Sequence, residues 1–430
     1  MSRLDEIYKK SPALFQKAMV AVYGYYWHQM RFGGNYHYFE DDFRKREGFS
    51  PEDWSNFREK RLISLLSICQ EQVPYYRGHW SSQEKKAAKI GKLCDIPLLE
   101  KSPIREDPAA FCRQDMNPFP RFRFHTSGTT GTPIVSHFPL NELRASMALR
   151  ETRSANWAGV SFRDPRGTFS GRIVEPDPIS KGPFYRYNPV EKQVYLSAFH
   201  LKPENADQYV QALIKHDVKW LTGYAVSFYL LAKYILEQQI KPPRLSAIIT
   251  TSEKLTIAMR KVMQLAYQCP IFEEYSTVES ALFASECQCG KLHVSPDAGI
   301  VEILKPDGTP SEPGEVGEVV ATCLFRSFQP LIRFRLGDLA AWDSDPCPCG
   351  RQMPVIREVI GRIEDIVTGP DGRQLVRFHG IFVDQPHIIE GQIIQKTLVQ
   401  IIAKVVPTTG FNSKDIIEIQ NRINQRLGDR

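Results

Sequence analysis

Between about residue 120 and residue 360, short apolar runs alternate with helix-patterned stretches. No other feature limits so strongly what this chain can fold into. Ala247-Ile248-Ile249-Thr250, Gly299-Ile300-Val301-Glu302-Ile303-Leu304 and Glu318-Val319-Val320-Ala321-Thr322 are short and rich in β-branched residues, as strands are. Val226 to Glu237 has the length and spacing of a helix, and Lys305-Pro306-Asp307-Gly308-Thr309-Pro310 has the composition of a turn between two of the strands. The mixture predicts an α/β, or mixed α+β, fold with large sheets and flanking helices. Upstream, Arg58 to Gln72 carries Leu62, Ile63, Leu65, Leu66 and Ile68 at amphipathic spacing, and Val73-Pro74 stops that helix. The first ~45 residues are aromatic-rich, with Tyr23, Tyr25, Tyr26, Trp27, Tyr36, Tyr38 and Phe39. They read as helix packing its rings on the main body; a membrane-surface or partner-binding arm is the alternative. The pattern changes near Gly361-Arg362. Beyond it, strand-like Ile393 to Val406 and helix-like Ser413 to Leu427 suggest a small α+β unit, so the expected domains are 1–362 and 363–430.

Composition excludes more than it selects. Of 430 residues, 42% are hydrophobic and 24% charged, which excludes a disordered chain or a disulfide-stapled miniature. The net charge of +6 permits anionic ligands such as phosphates without requiring nucleic acid. No run of 18 apolar residues occurs, so no membrane-spanning helix is expected, and the acidic start Met1-Ser2-Arg3-Leu4-Asp5-Glu6 does not read as a signal peptide. Of nine cysteines, five (Cys69, Cys94, Cys112, Cys269 and Cys323) are scattered, and the rest form two C-x-C pairs. A cytoplasmic, reducing compartment is expected, where paired thiols hold metal more often than disulfides.

Residues Thr126-Ser127-Gly128-Thr129-Thr130-Gly131-Thr132-Pro133 place hydroxyls and glycines densely together. Glycine lets backbone N–H groups approach an anion, and hydroxyls add donors for phosphate oxygens. The Lys of a Walker loop is absent, so this is a phosphate loop of another kind.

With this loop the sequence resembles the adenylate-forming superfamily of acyl-CoA synthetases, adenylation domains and luciferases, and within it the phenylacetate–CoA ligase/CapK-like branch. Four further segments, in order, carry the resemblance together with the Val73-Pro74-Tyr75-Tyr76-Arg77 signature. They are Thr251-Ser252-Glu253-Lys254-Leu255, Tyr275-Ser276-Thr277-Val278-Glu279, Arg333-Phe334-Arg335-Leu336-Gly337-Asp338 and Gly361-Arg362-Ile363-Glu364-Asp365. The match runs from about residue 60 to 366. It implies a large adenylate-forming domain followed by a small, incomplete, mobile C-terminal domain with its hinge at Glu364.

The resemblance also implies roles. Thr126, Ser127, Gly128, Thr129, Thr130, Gly131 and Thr132 would hold the β- and γ-phosphates of ATP, with Thr129 and Thr130 closest to the chemistry. Ser252, Glu253, Tyr275, Ser276 and Thr277 would flank the adenine and α-phosphate, with Tyr275 stacking on the base. Asp338 would accept from the ribose hydroxyls, Arg362 would contact ribose or phosphate, and Glu279 would hold Mg²⁺, a hard cation that prefers oxygen ligands. Trp157, Phe169, His200, Trp220, Tyr224 and Phe228 lie where the family builds its carboxylate pocket, although most read as ordinary core. His125 adjoins the loop.

Cys287-Gln288-Cys289 precedes His293, and Cys347-Pro348-Cys349 follows further on. Five soft ligands thus compete for a four-coordinate zinc site. Position by position the resemblance points to Cys287, His293, Cys347 and Cys349, with Cys289 able to replace His293, and to a structural clamp between two loops.

Some positions depart from the family. Ser276 and Val278 replace its Gly and Thr, removing a hydroxyl that normally faces the α-phosphate, and Thr277 one place away is expected to point elsewhere in a strand. Leu336 replaces a Thr. The family's C-terminal lysine segment has no counterpart before Arg430, a loss expected to cost on the order of 10²–10³ in adenylation rate. The expected activity is ATP- and Mg²⁺-dependent activation of a small carboxylate through an acyl-adenylate, with transfer to CoA. Transfer to an amine, carrier thiol or sugar is the first alternative, and a nucleotide-binding homologue with little catalysis the second. A homodimer is the candidate assembly.

Overall fold

The computed structural model describes Tyr8 and residues 11–126, 133–177, 179–362, 367–369, 374–375, 379–382, 385–398 and 400–427. Helices come first: α1 (Ala13–Phe32), α2 (Tyr36–Arg46), α3 (Pro51–Gln72), α4 (Pro74–His79), α5 (Ser82–Lys89) and α6 (Lys101–Glu106). Helix α3 starts earlier than its amphipathic run because Ser50 and Asp53 form a reciprocal capping box, with Pro51 in the first turn. It stops at Val73, which is extended ahead of Pro74 as the sequence predicts.

Strands β1 (Arg121–His125) and β2 (Val135–Pro139) form an antiparallel pair, followed by α7 (Leu140–Leu149). The rest of the large body is built on one twelve-stranded sheet. Its strands are β3 (Arg166–Ser170), β4 (Tyr185–Asn188), β5 (Gln193–Ser197), β6 (Trp220–Tyr224), β7 (Ala247–Thr251), β8 (Ile271–Ser276), β9 (Phe283–Glu286), β10 (Leu292–Val294), β11 (Gly299–Leu304), β12 (Val316–Cys323), β13 (Phe334–Trp342) and β14 (Val355–Arg362). The spatial order is β11-β12-β13-β14-β10-β9-β8-β7-β6-β3-β5-β4. Strands β5, β3, β6, β7 and β8 run parallel. Their crossovers carry α8 (Ala206–Lys215), α9 (Ala225–Glu237) and α10 (Ile257–Tyr267), as parallel pairing requires. From β8 through β9 to β11 every pairing is antiparallel. The sheet therefore changes character at β8/β9.

Two cores hold it. On the parallel half, Phe169, Leu196, Leu221 and Ile248 pack with Leu213, Phe228 and Met263. On the antiparallel half, Leu62, Leu66, Tyr76 and Trp80 of α3–α5 cover Val319, Ala321, Phe334 and Ile356. Phe169, Trp220 and Phe228 are fully buried core residues. In the N-terminal helices Tyr36 and Phe43 are buried, and Trp27 packs 5.1 Å from the Phe122 ring of β1, whereas Tyr25 and Tyr38 face outward.

Beyond β14 come β15 (Val367–Thr368), β16 (Gln374–Leu375), α11 (His379–Phe382), β17 (Ile388–Thr397), β18 (Gln400–Pro407) and α12 (Ser413–Leu427). The strand-like run Ile393 to Val406 is the inner part of the β17–β18 hairpin rather than one strand, whereas α12 has the bounds its amphipathic pattern predicts. Helix α12 packs on β16 and α11, and α11 on β17. Among the described residues no helix is long and apolar enough to cross a membrane.

Candidate functional site

The carboxyl ends of β7 and β8 meet at the switch from parallel to antiparallel pairing. Ligands of open α/β sheets bind outside the carboxyl ends of the strands, and these two ends offer such a place. Ser252 follows β7 directly, with φ +69°, and Tyr275 and Ser276 end β8. Asp338 on β13 and Arg362 at the end of β14 are register partners, and their side chains pair at 3.1 Å. The Tyr275 hydroxyl donates to Asp338 Oδ2 at 2.8 Å. Three segments far apart in sequence are thus joined in one chain of polar contacts. Burial, then the Asp338 charge, raises the Tyr275 phenol well above its ordinary value and holds it as a neutral donor.

Glu279 lies in the turn after β8 and is buried. Desolvation raises its pKa, while its own backbone, the Thr277 hydroxyl, Arg326 and Lys101 oppose that shift. Among the described residues its carboxylate has no ion-pair partner, so it is a hard oxygen ligand available to a cation. Arg326 fixes this turn from below. It donates to the Glu279 carbonyl at 2.6 Å, to Ser136 Oγ at 2.8 Å and to the His137 carbonyl, tying β2 to the turn. Thr277 is not in a strand, which corrects the sequence reading. It is the first residue past β8, and its hydroxyl accepts from the Ala281 N–H at 3.2 Å, capping the turn that presents Glu279.

Lys101 is a candidate-site residue that the sequence does not signal. Leu99 donates to the Arg333 carbonyl at 2.8 Å and accepts from the Arg335 N–H at 3.0 Å, which lays this segment along β13. Arg335 also pairs with Glu100 at 2.8 Å. Lys101 then lies against Gly337, where a Cβ would come within 2.7 Å of its Nζ, and close enough to Glu279 to act on its titration. Gly337 has φ +72°, so the glycine before Asp338 serves both the backbone and the room for this ammonium.

Other expected residues fall into supporting places. Glu253 accepts from the Val226 N–H at 2.8 Å, in the first turn of α9. Lys254 donates to Val359 and Ile360 carbonyls at 2.8 and 3.1 Å, holding the β7–α10 connection against β14. Arg333 forks onto Glu302 at 3.0 and 2.9 Å and so clamps β13 to β11. His200 is bonded to Ser197 and the Asp177 carbonyl and stacked on Phe184, a satisfied structural histidine. Thr126 closes the base of its loop: its N–H donates to the Ile134 carbonyl at 3.1 Å and its Oγ1 accepts from the Ile134 N–H at 2.9 Å. Ser127, Gly128, Thr129, Thr130, Gly131, Thr132 and Glu364 lie outside the described residues.

Cys287, His293, Cys347 and Cys349 converge, with their ligand atoms all within 4.8 Å of one another. Each C-x-C pair is followed by a glycine in the left-handed region, Gly290 at φ +76° and Gly350 at φ +81°, which turns the chain back after the pair. Cys287 and Cys347 Sγ are 3.5 Å apart, and Cys349 Sγ is 3.3 Å from His293 Nε2. Zinc–sulfur bonds of ~2.3 Å imply tetrahedral edges of about 3.8 Å, so the four atoms are spaced much as such an ion requires. Burial lowers the His293 pKa to about 4 and pushes the Cys347 thiol up to about 12. The ring is therefore neutral, and the sulfurs need a cation to ionise together. His293 Nδ1 faces the Met353 carbonyl at 3.3 Å, which orients the ring. Cys289 is exposed and outside the cluster. Trp157, expected near the acyl pocket, lies instead at this cluster, edge-on to His293 at 5.9 Å. Its position is fixed by Nε1–H donating to Glu47 at 2.7 Å, so the aromatic packs against N-terminal helices rather than into the crevice.

No family model matches the chain. It is 26% identical to protein CapK of Staphylococcus aureus over 430 aligned positions, covering 96% of this chain and 91% of CapK. It is 25% identical to a phenylacetate-coenzyme A ligase of Thermus thermophilus over 344 positions, covering 72% of this chain and 70% of the ligase. By sequence the chain is thus similar to CapK and to phenylacetate–CoA ligases. The fold agrees. A 2-hydroxyisobutyryl-CoA ligase crystallised in its postadenylation state superposes with TM-score 0.65 at 18% identity, over 90% of this chain and 86% of that one.

Proposed function

We propose that this chain joins a small carboxylic acid to coenzyme A at the expense of ATP. The carrying observation is the Tyr275–Asp338–Arg362 chain of contacts at the β8/β9 switch, with buried Glu279 one turn away. In the first step a substrate carboxylate oxygen bonds to the α-phosphorus of ATP. The bond to the bridging oxygen breaks, and pyrophosphate leaves. In the second step the CoA sulfur attacks the acyl carbon, its proton is lost, and AMP departs with the former carboxylate oxygen.

Asp338, its orientation fixed by Tyr275 and Arg362, would accept from the ribose hydroxyls. Tyr275 and Ser252 would border the adenine, and Thr126–Thr132 would hold the outer phosphates. Glu279 would hold Mg²⁺, which would supply positive charge where two anions meet. Lys101 adds positive charge on the same side. Cys287, His293, Cys347 and Cys349 would hold a structural zinc, and the reduced thiols this needs fit a cytoplasmic location. Residues 363–430 would form the mobile second domain, hinged at Glu364.

The test is mass spectrometry of the chain incubated with Mg-ATP and pooled carboxylates, with and without CoA. A carboxylate-dependent acyl-CoA is expected, with an acyl-AMP accumulating when CoA is omitted. AMP formation that CoA does not alter would move the acceptor to an amine, carrier or sugar. Absence of any carboxylate-dependent AMP, with ATP still bound, would overturn the ligase reading.

A further inference from the structure

The β1–β2 hairpin holds charged groups that the nucleotide site leaves unused. Its register sets Arg121 opposite Pro139, Arg123 opposite His137 and His125 opposite Val135. Alternate side chains share a face, so Arg121, Arg123 and His125 lie on one side, and His137 joins them across from Arg123. Phe122 and Phe124 turn the other way, onto Trp27. The three residues of β1 are exposed, and two-residue steps space them by about 7 Å.

His137 sits beneath this row, only 8% exposed, and its Nδ1 has no hydrogen-bond partner. Its backbone N–H is satisfied by Gln329 at 2.8 Å, so only the ring is left unanswered. Burial, and then the basic neighbours Arg121, Arg123, Arg326 and His125, hold its pKa down to about 4. Arg326 is balanced by Glu142 at 3.4 Å. Arg121 lies over the Phe328 ring at 5.7 Å, and among the described residues neither it nor Arg123 forms an ion pair. Two exposed guanidiniums on one face, beside a buried neutral imidazole, leave positive charge that an anion would relieve.

We propose that this face is a second anion site, one that takes a diphosphate group. Two guanidinium forks on alternate residues can straddle two linked phosphates, and the imidazole supplies a donor from below. The inference rests on the proposed function in one respect. Strand β1 runs directly into Thr126, so the row begins where that reading puts the outer phosphates of ATP. A diphosphate then has two sources of the same chemistry: inorganic pyrophosphate leaving the loop, or the diphosphate of CoA arriving.

The experiment titrates the full chain with inorganic pyrophosphate and, separately, with CoA by calorimetry. It compares wild type with Arg121→Gln/Arg123→Gln, whose side chains are exposed and whose loss spares the core, and with His137→Phe. A surface control, Lys86→Gln/Lys89→Gln on α5, removes the same charge elsewhere. At least tenfold weaker binding in the hairpin variants, with the control unchanged, is expected. A loss confined to pyrophosphate assigns the product, and one confined to CoA assigns the acceptor. The site is refuted if wild type binds neither ligand, if the hairpin variants bind both as wild type does, or if the control weakens binding equally. The titration needs no turnover. A wild type that makes no acyl-adenylate would therefore overturn the proposed activity and leave this result standing.

Discussion

Replacing Cys349 with serine removes one corner of the Cys287–His293–Cys347–Cys349 cluster, and the structure gives the size of what should be lost. The cluster joins residues 60 apart in sequence, Cys287 and Cys347. A cross-link that closes a loop of that length lowers the entropy of the unfolded chain by an amount worth about 4 kcal/mol at 25 °C. For a domain of roughly 350 residues unfolding as one unit, with about 2.1 cal/mol/K per residue, that corresponds to a fall in Tm of about 5–6 °C. Local repacking adds to this, because Trp54, Trp157 and Met353 pack on the same sulfurs and tie α3 to both C-x-C turns. The assay is zinc content by mass spectrometry, followed by thermal melts of wild type, Cys349→Ser and Cys289→Ser in matched buffers. Wild type should carry one zinc per chain, Cys349→Ser should lose it together with the stated stability, and exposed Cys289→Ser should keep both. Equal loss from the two variants, or wild type purified without zinc and unaffected in its melt by a chelator, would refute the assignment.

Two further outcomes concern Tyr275 and Glu273, both on β8. Tyr275→Phe deletes one hydrogen bond to a charged acceptor, worth about 1.5–3 kcal/mol, so KM for ATP should rise at least tenfold with little change in kcat; a lower Tm with unchanged KM would reduce Tyr275 to a structural part. Burial and neighbouring Glu286 raise Glu273 to about 7, above its unfolded value near 4.5, so the folded state binds the extra proton and stability falls as pH rises between those values. Glu273→Gln should therefore stabilise the protein at pH 8 by at most about 3 kcal/mol, an advantage that shrinks toward pH 5, and a pH-independent difference between the two melts would sink that assignment.

Much of the fold was legible because the elements obey local rules. Strand β11 has the bounds of its β-branched run, the turn at Lys305–Pro310 connects it to β12, and α12 matches its amphipathic span. The apolar period of helix α3 covers only part of it, because capping by Ser50 and Asp53 extends the helix through charged residues that carry no such period. The C-terminal hairpin has the pattern of one strand because Leu398, at its turn, is apolar and gives no turn signal.

The candidate site was legible wherever the backbone or a cluster demanded a rare residue, and hidden wherever topology recruited a common one. Gly337 and the glycines after each C-x-C pair sit at positive φ, so glycine there reflects the backbone itself, and such positions leave a mark in sequence. Lys101 leaves none. It is one lysine among 55 basic residues, and it reaches the site only because Leu99 is bonded to both sides of Phe334 on β13, more than two hundred positions later. Arg326 is hidden for the same reason, since its three acceptors come from β2 and the turn after β8. Trp157 shows the converse error. Its place in the chain suggested the crevice, but a hydrogen bond to Glu47 and the Arg351 guanidinium 4.2 Å from its ring hold it at the sulfur cluster. Side chains that act across elements are assigned by contacts, and contacts become readable only once the strand order is known.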